Sequence, residues 1–418
     1  MMIKHKISLC VFALTGGLVY GQTVNYGGLY IMPDTEMATL FSLENKNDGK
    51  VFNNGTLYVY SHLINDGVFD FREGGKLKNT GKTIFTSNQQ QNISGNELIR
   101  LNNIELNNST AERAFYLSNG ISAQGEVGFI DGIVTYEEAK GAFAFLKGAK
   151  AINPTDQSHI DGVVDKIGNE AFTFPIGNKQ YYRPAHITAP EKDADVYAGV
   201  YKYKDDAFFA DKSNAAGVIK TLNTNEYWQV TKMSKEEKNV ILELSWDERT
   251  TSSLVLENPE KDLHIVRWDA EKKIWVDEGG IVDVQARTIT TPTAVKGLGY
   301  FTLATVKTDW LLEGDVVIYN IVTADGDGVN DYFLIDNIQR FPNNSVQIFN
   351  RWGAKVFETK NYDSNGNVFD GHSKGKMTLN ESEKLPSGTY YYVIVYEVVK
   401  DGVSRTIKKA GYLHLETN

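Results

Sequence analysis

The sequence predicts an all-β protein: β-solenoid-like repeats at the N-terminus, a central antiparallel β-sandwich, and a small C-terminal β-sandwich of about seven strands. Three observations predict it. A short Asn-Gly pattern recurs early in the chain. After it come strand-length apolar runs separated by turns. The composition, with 37 glycines, 9 prolines, 11% aromatic residues and 41% hydrophobic residues, supplies turns and packed cores. At roughly 150 residues per domain, 418 residues divide into two or three domains.

The chain begins with Lys4 and Lys6 ahead of an apolar run from Ile7 to Tyr20. A charged segment followed by a short apolar segment has the form of a secretory signal, and the run is too short and too glycine-interrupted for a good membrane span. We expect a signal peptide over 1–21, cleaved after Gly21. Its removal takes the only cysteine, Cys10, and moves the net charge from −10 to −12. A lipid anchor at Cys10 is the alternative; bulky Leu9 and the continuing apolar run oppose it. No later stretch reaches membrane length, so no transmembrane segment is expected in the mature chain.

Over 22–158 the repeat is clearest from Val51. Asn53-Asn54-Gly55 leads into Leu57 and Val59, Asn65-Asp66-Gly67 into Phe69 and Phe71, and Asn79-Thr80-Gly81 into Thr83 and Phe85. Glycine and asparagine tolerate the positive φ of a tight turn, and the alternation after each turn buries one strand face. Recurrence every 12 to 14 residues predicts stacked rungs sharing one core. An antiparallel meander is the competing reading.

Residues 159–308 contain separated strand runs and predict a sandwich. Leu263–Asp269 and Lys273–Glu278 form a hairpin around Ala270-Glu271-Lys272. Trp228, Trp246, Trp268 and Trp275 read as core and cross-strand residues more readily than as a sugar-stacking platform. Lys204 to Thr224 reads as a short helix or a long loop.

The last module, 313–418, places a strand through Val346, Ile348 and Phe349, a turn at Arg351-Trp352-Gly353, and a returning strand over Lys355 to Glu358. Alternating residues of the run from Tyr390 to Tyr396 are apolar or aromatic on both faces, as in a strand covered on both sides. Four ordered segments carry a resemblance: "GDGVND" from Gly326, "IFNRWG" from Ile348, "FDG" from Phe369 and "LPSGTYYY" from Leu385. The module resembles the gliding-motility-associated C-terminal domain, the type B sorting domain of the type IX secretion system of Bacteroidetes. The family usually has Pro-Asn before its Gly-Asp-Gly; Ala324-Asp325 stand there in this chain.

The resemblance implies export to the periplasm, then recognition of the folded domain by the type IX secretion translocon, and an outer-membrane β-barrel partner. It implies a secreted, cell-surface or outer-membrane-associated protein. For the recognised surface we single out Arg351, Trp352 and Gly353 together with Ala410, Gly411, Tyr412 and Leu413.

Other motifs are weaker. Asp325, Asp327, Asn330 and Asp331 line a glycine-bent loop with the oxygen ligands calcium prefers. The EF-hand pattern fails at Val329 and Asp336, so a structural turn is the stronger reading, and no cofactor besides calcium enters consideration. Gly81-Lys82-Thr83 and "GHSKGK" from Gly371 each miss the phosphate-loop spacing. The sequence lacks the H-E-x-x-H signature, and His62, His159, His186, His264, His372 and His414 are dispersed. The acidic charge argues against nucleic acid as a partner. We therefore expect a non-enzymatic surface protein whose N-terminal modules serve as adhesin or stalk, with a glycan or surface as ligand. The alternative is a secreted carbohydrate-active enzyme or glycan-binding protein using the same route.

Overall fold

The computed structural model describes residues 21–71, 81–110, 113–137, 140–216, 219–233, 240–295, 297–306, 316–326, 330–363, 366–373, 384–400 and 403–417. Residues 1–20 of the expected signal segment, Cys10 among them, the repeat residues Leu77 to Thr80, and Asp327 lie outside them. The described chain is nearly all β and opens with a β-solenoid of about six turns.

Each turn contributes one strand to each of three parallel sheets. In the first turn these are Gln22–Asn25, Gly28–Ile31 and Glu36–Thr39, and in the second Ser42–Asn45, Lys50–Asn53 and Thr56–Val59. The strands alternate because one face is buried: Leu43, Val51, Leu57 and Val59 are sealed, and their neighbours reach the surface. Parallel register stacks like on like. Val51, Phe69, Ile99, Ile121, Phe143 and Val164 form one continuous column down the second sheet.

The rung is longer than the Asn-Gly spacing suggests. Leu43 stacks on Leu63, a turn of 20 residues. Residues 45 to 49 and 53 to 55 are two different corners of the same turn, so the 12-to-14-residue recurrence counts corners. The glycines also act differently from the expectation. Gly55, Gly67 and Gly81 do not have positive φ. A Cβ on Gly67 would sit 2.3 Å from Lys46 O, and one on Gly81 only 2.0 Å from Asn53 O. These corners need glycine because the preceding turn's backbone presses against them.

The solenoid merges into the sandwich. Strand Val164–Ile167 pairs in parallel with the preceding turn on one side and antiparallel with Val196–Tyr203 on the other. One 13-stranded sheet therefore runs from Gly28–Ile31 to the hairpin of Leu263–Asp269 and Ile274–Gly279. This pairing covers a sheet edge that would otherwise be open. A five-stranded sheet packs opposite, and a single apolar cluster extends from Ile31 through the sandwich to Leu303.

Trp228 and Trp275 are fully buried, Trp246 nearly so, and Trp268 lies directly across from Trp275. The interval after Lys204 carries a short helix, Asp206–Asp211, capped by the Asp205 side chain.

Between the two sheets Arg183 and Glu226 form a buried ion pair, with Nε 3.3 Å from Oε2. Glu226 also accepts from Tyr201 Oη at 2.6 Å and Thr251 Oγ1 at 2.5 Å, and Arg183 donates to Ser245 O at 2.7 Å. A buried pair is tolerable when its remaining lone pairs and protons are satisfied in this way.

The C-terminal module has its own core. Strand Gly388–Lys400 lies between Asn344–Phe349 and Val403–Glu416 in a five-stranded sheet, and a two-stranded ribbon completes seven strands among the described residues. Tyr390, Tyr392, Ile394 and Tyr396 bury one face of the central strand, and Val393 is buried on the other.

Candidate functional site

Where the first solenoid sheet meets the sandwich, the surface opens into a cleft of about 760 Å³. Three stacked turns form its floor. Tyr116, Thr135 and Asp161 occupy matching outward positions on successive strands. Tyr136 closes one end. Its hydroxyl donates to Val163 O at 2.8 Å, and its ring lies on Gly162, where a Cβ would come within 2.5 Å. Burial and the nearby Asp165 and Asp161 raise the Tyr136 phenol well above its ordinary pKa, so it stays neutral.

The opposite wall comes from the sandwich: Lys202 and Gln229 on paired strands, and the tip of the hairpin Gly177–Tyr182. Lys179 and Gln180 form its two-residue loop, with φ of 51° and 67°. Asp161 fixes the hairpin by accepting from Asn178 Nδ2 at 2.9 and 3.1 Å and from the Lys179 amide. Behind it, His159 is fully buried and packs against Gly177; burial lowers its pKa despite nearby Asp161 and Asp156. Among the described residues no group of three or more His, Cys, Asp or Glu side chains is arranged to hold a metal ion.

The residues singled out from sequence lie elsewhere. In the Asp325–Asp331 loop, Asp331 accepts from the Gly326 amide at 2.7 Å and Asn330 has a left-handed φ of 55°, the marks of a turn. Asp325 is exposed. At the Arg351-Trp352-Gly353 turn, Trp352 is 69% exposed and the Arg351 guanidinium stacks 4.2 Å above its ring centroid. Gly353 has a φ of 76°, which closes the turn. Along the last strand Tyr412 is exposed, and Ala410 and Gly411 are half-buried. Leu413 is fully buried, so it belongs to the core and not to a presented surface. The alternation of the strand turns that side chain inward.

Sequence reasoning passed over every cleft residue. Their segments are far apart in the chain and meet only through parallel stacking and the antiparallel join at Val164–Ile167. A local trace existed in the Lys179-Gln180 dipeptide between two strand pairs, where Asn-Gly would be ordinary.

Residues 316–415 match the family model described as CHU_C Type IX secretion signal domain. The C-terminal module is a type IX secretion signal domain. No curated protein and no solved structure matches the chain. The type IX signal domain makes the chain a secreted, cell-surface-directed protein that engages the type IX secretion system. Among the described residues no helix is long and apolar enough to cross a membrane.

Proposed function

We propose that the type IX signal domain delivers a non-enzymatic binding protein, an adhesin, to the cell surface. In this reading residues 1–21 are the export signal, and an outer-membrane β-barrel protein holds the C-terminal module. The observation that carries the proposal is the join at Val164–Ile167, which makes solenoid and sandwich one hydrogen-bonded sheet over one core. Such a unit suits a stiff projecting stalk, because bending it would break the stacked columns and the shared sheet together. The cleft carboxylates support a binding role over hydrolysis. Asp161 is committed to Asn178 and Lys179, and Glu137 is paired with Lys140. A glycosidase needs two carboxyl groups free to face the bond being cleaved.

The test compares cells with and without the gene for attachment to glycan-coated surfaces, and assays the purified full chain for cleavage of the same glycans. Loss of attachment without cleavage is expected. Cleavage, or attachment unchanged by the deletion, contradicts the proposal.

A further inference from the structure

We infer that the cleft between solenoid and sandwich binds an anionic oligosaccharide, one bearing carboxylate or sulfate groups. This rests on the adhesin reading and names the ligand class of its site. The first support is the balance of charge. The cleft gathers Arg113, Lys179 and Lys202 with two carboxylates, Glu137 and Asp161. Both carboxylates have partners within the protein. Arg113 and Lys202 take part in none of the ion pairs among the described residues. Lys179 donates to Tyr203 O at 2.9 Å, which holds its ammonium at the wall and leaves two further protons. Three cations against two carboxylates leave the lining one net positive charge, and Glu137 is further paired with Lys140 outside it.

The second support is backbone strain. Asn178 pairs with Tyr181, so Lys179 and Gln180 are the two central residues of a hairpin turn, and both have left-handed φ. Glycine or asparagine fills such positions at little cost, whereas side chains like these strain the turn. The strained pair projects long polar side chains at the cleft's edge.

The third support is geometry. Tyr116, Thr135 and Asp161 lie in one row across three turns, about 4.8 Å apart along the solenoid axis. A sugar chain laid along that axis meets one side chain per turn. These are a flat aromatic surface on Tyr116, the Thr135 oxygen, whose own proton goes to Phe115 O, and Asp161, whose carboxylate accepts from Asn178 and Lys179. The Gln229 amide faces it from the opposite wall. The volume of about 760 Å³ lies within the usual range for ligand clefts.

The experiment is calorimetric titration of the full chain with three probes: tetragalacturonate, a chondroitin sulfate tetrasaccharide and neutral cellotetraose. At least one anionic probe should bind about tenfold or more tighter than cellotetraose, and whichever does so identifies the acidic group. Lys202→Gln should weaken that binding about tenfold. The double variant Lys179→Asn/Gln180→Gly should abolish it with an unchanged or raised melting temperature, because Asn-Gly relaxes the turn. No binding of either anionic probe, equal binding of the neutral one, or affinities unaltered in both variants overturns the assignment. Cells whose attachment survives the cleft variants would retain the adhesin reading and lose this site. Cleavage of a bound probe would retain the site and lose the non-enzymatic reading.

Discussion

Asn45 donates from Nδ2 to Oδ1 of Asn65, one solenoid turn away, at 2.8 Å, and accepts at its own Oδ1 from Asn25 at the same distance. Both Asn45 and Asn65 are fully buried. The ladder continues when Asn65 donates to Glu97 O, to which Asn119 also donates. A side-chain amide has both a donor and an acceptor end, so stacked copies satisfy one another in a corner that water does not enter.

Asn45→Ala should therefore be costly, at about 1–3 kcal/mol for each buried group left unpaired. Asn25→Ala, at the partly exposed end of the ladder, should cost about 1 kcal/mol or less. Equilibrium urea unfolding of the two variants checks the order. Equal losses would deny the ladder its role.

Arg183→Met should destabilise the sandwich by about 3–5 kcal/mol, because Glu226 would stay buried without its cation. Replacing both partners by apolar residues should not restore full stability. Tyr201, Asn223 and Thr251 would lose the carboxylate they share. A double-mutant cycle by chemical denaturation measures this.

Acidification should weaken the fold through His159. Its folded pKa is lowered by burial, so below about pH 6.5 the unfolded chain takes up the proton first. The stability associated with neutral His159 is then present above that pH and falls as the pH drops. Denaturation midpoints at pH 7.5 and 5.5 should differ in the natural chain and differ less in His159→Gln. An unchanged pH slope in the variant would count against it.

Two residues of the type IX signal domain should separate folding from recognition. Leu413→Ala empties a core position and should cost about 2–5 kcal/mol. Trp352→Ala removes an exposed ring stacked on Arg351 and should leave the melting temperature nearly unchanged while lowering the exported fraction. Melting curves and secretion assays on the same pair of variants read both effects.

Much of the fold was legible because its signals are local. Asn-Gly corners, strand alternation around Val51 and Phe85, the hairpin at Trp268 and Trp275, and the turn at Arg351–Gly353 all lie within a dozen residues of chain. The rung period was less legible. Its third corner lacks the Asn-Gly signature, and the turns differ in length: Leu63 stacks on Ile93 30 residues later, against 20 for Leu43 on Leu63, most of the difference lying in the chain between Val68–Asp70 and Lys82–Ser87. The cleft was not legible at all. Lys179, Lys202, Tyr116 and Gln229 share no local pattern, and only the switch from parallel to antiparallel pairing at Val164–Ile167 brings them together. Leu413 was misplaced for a smaller reason, since a one-residue shift along a strand reverses the face.

Export by the type IX signal domain is the central claim, and cell fractionation with protease shaving tests it most directly. Full-length chain should reach the cell surface or medium and be open to external protease. A chain lacking residues 313–418 should accumulate in the periplasm, protected from it. Surface delivery of the truncated chain at the full-length level would contradict the account.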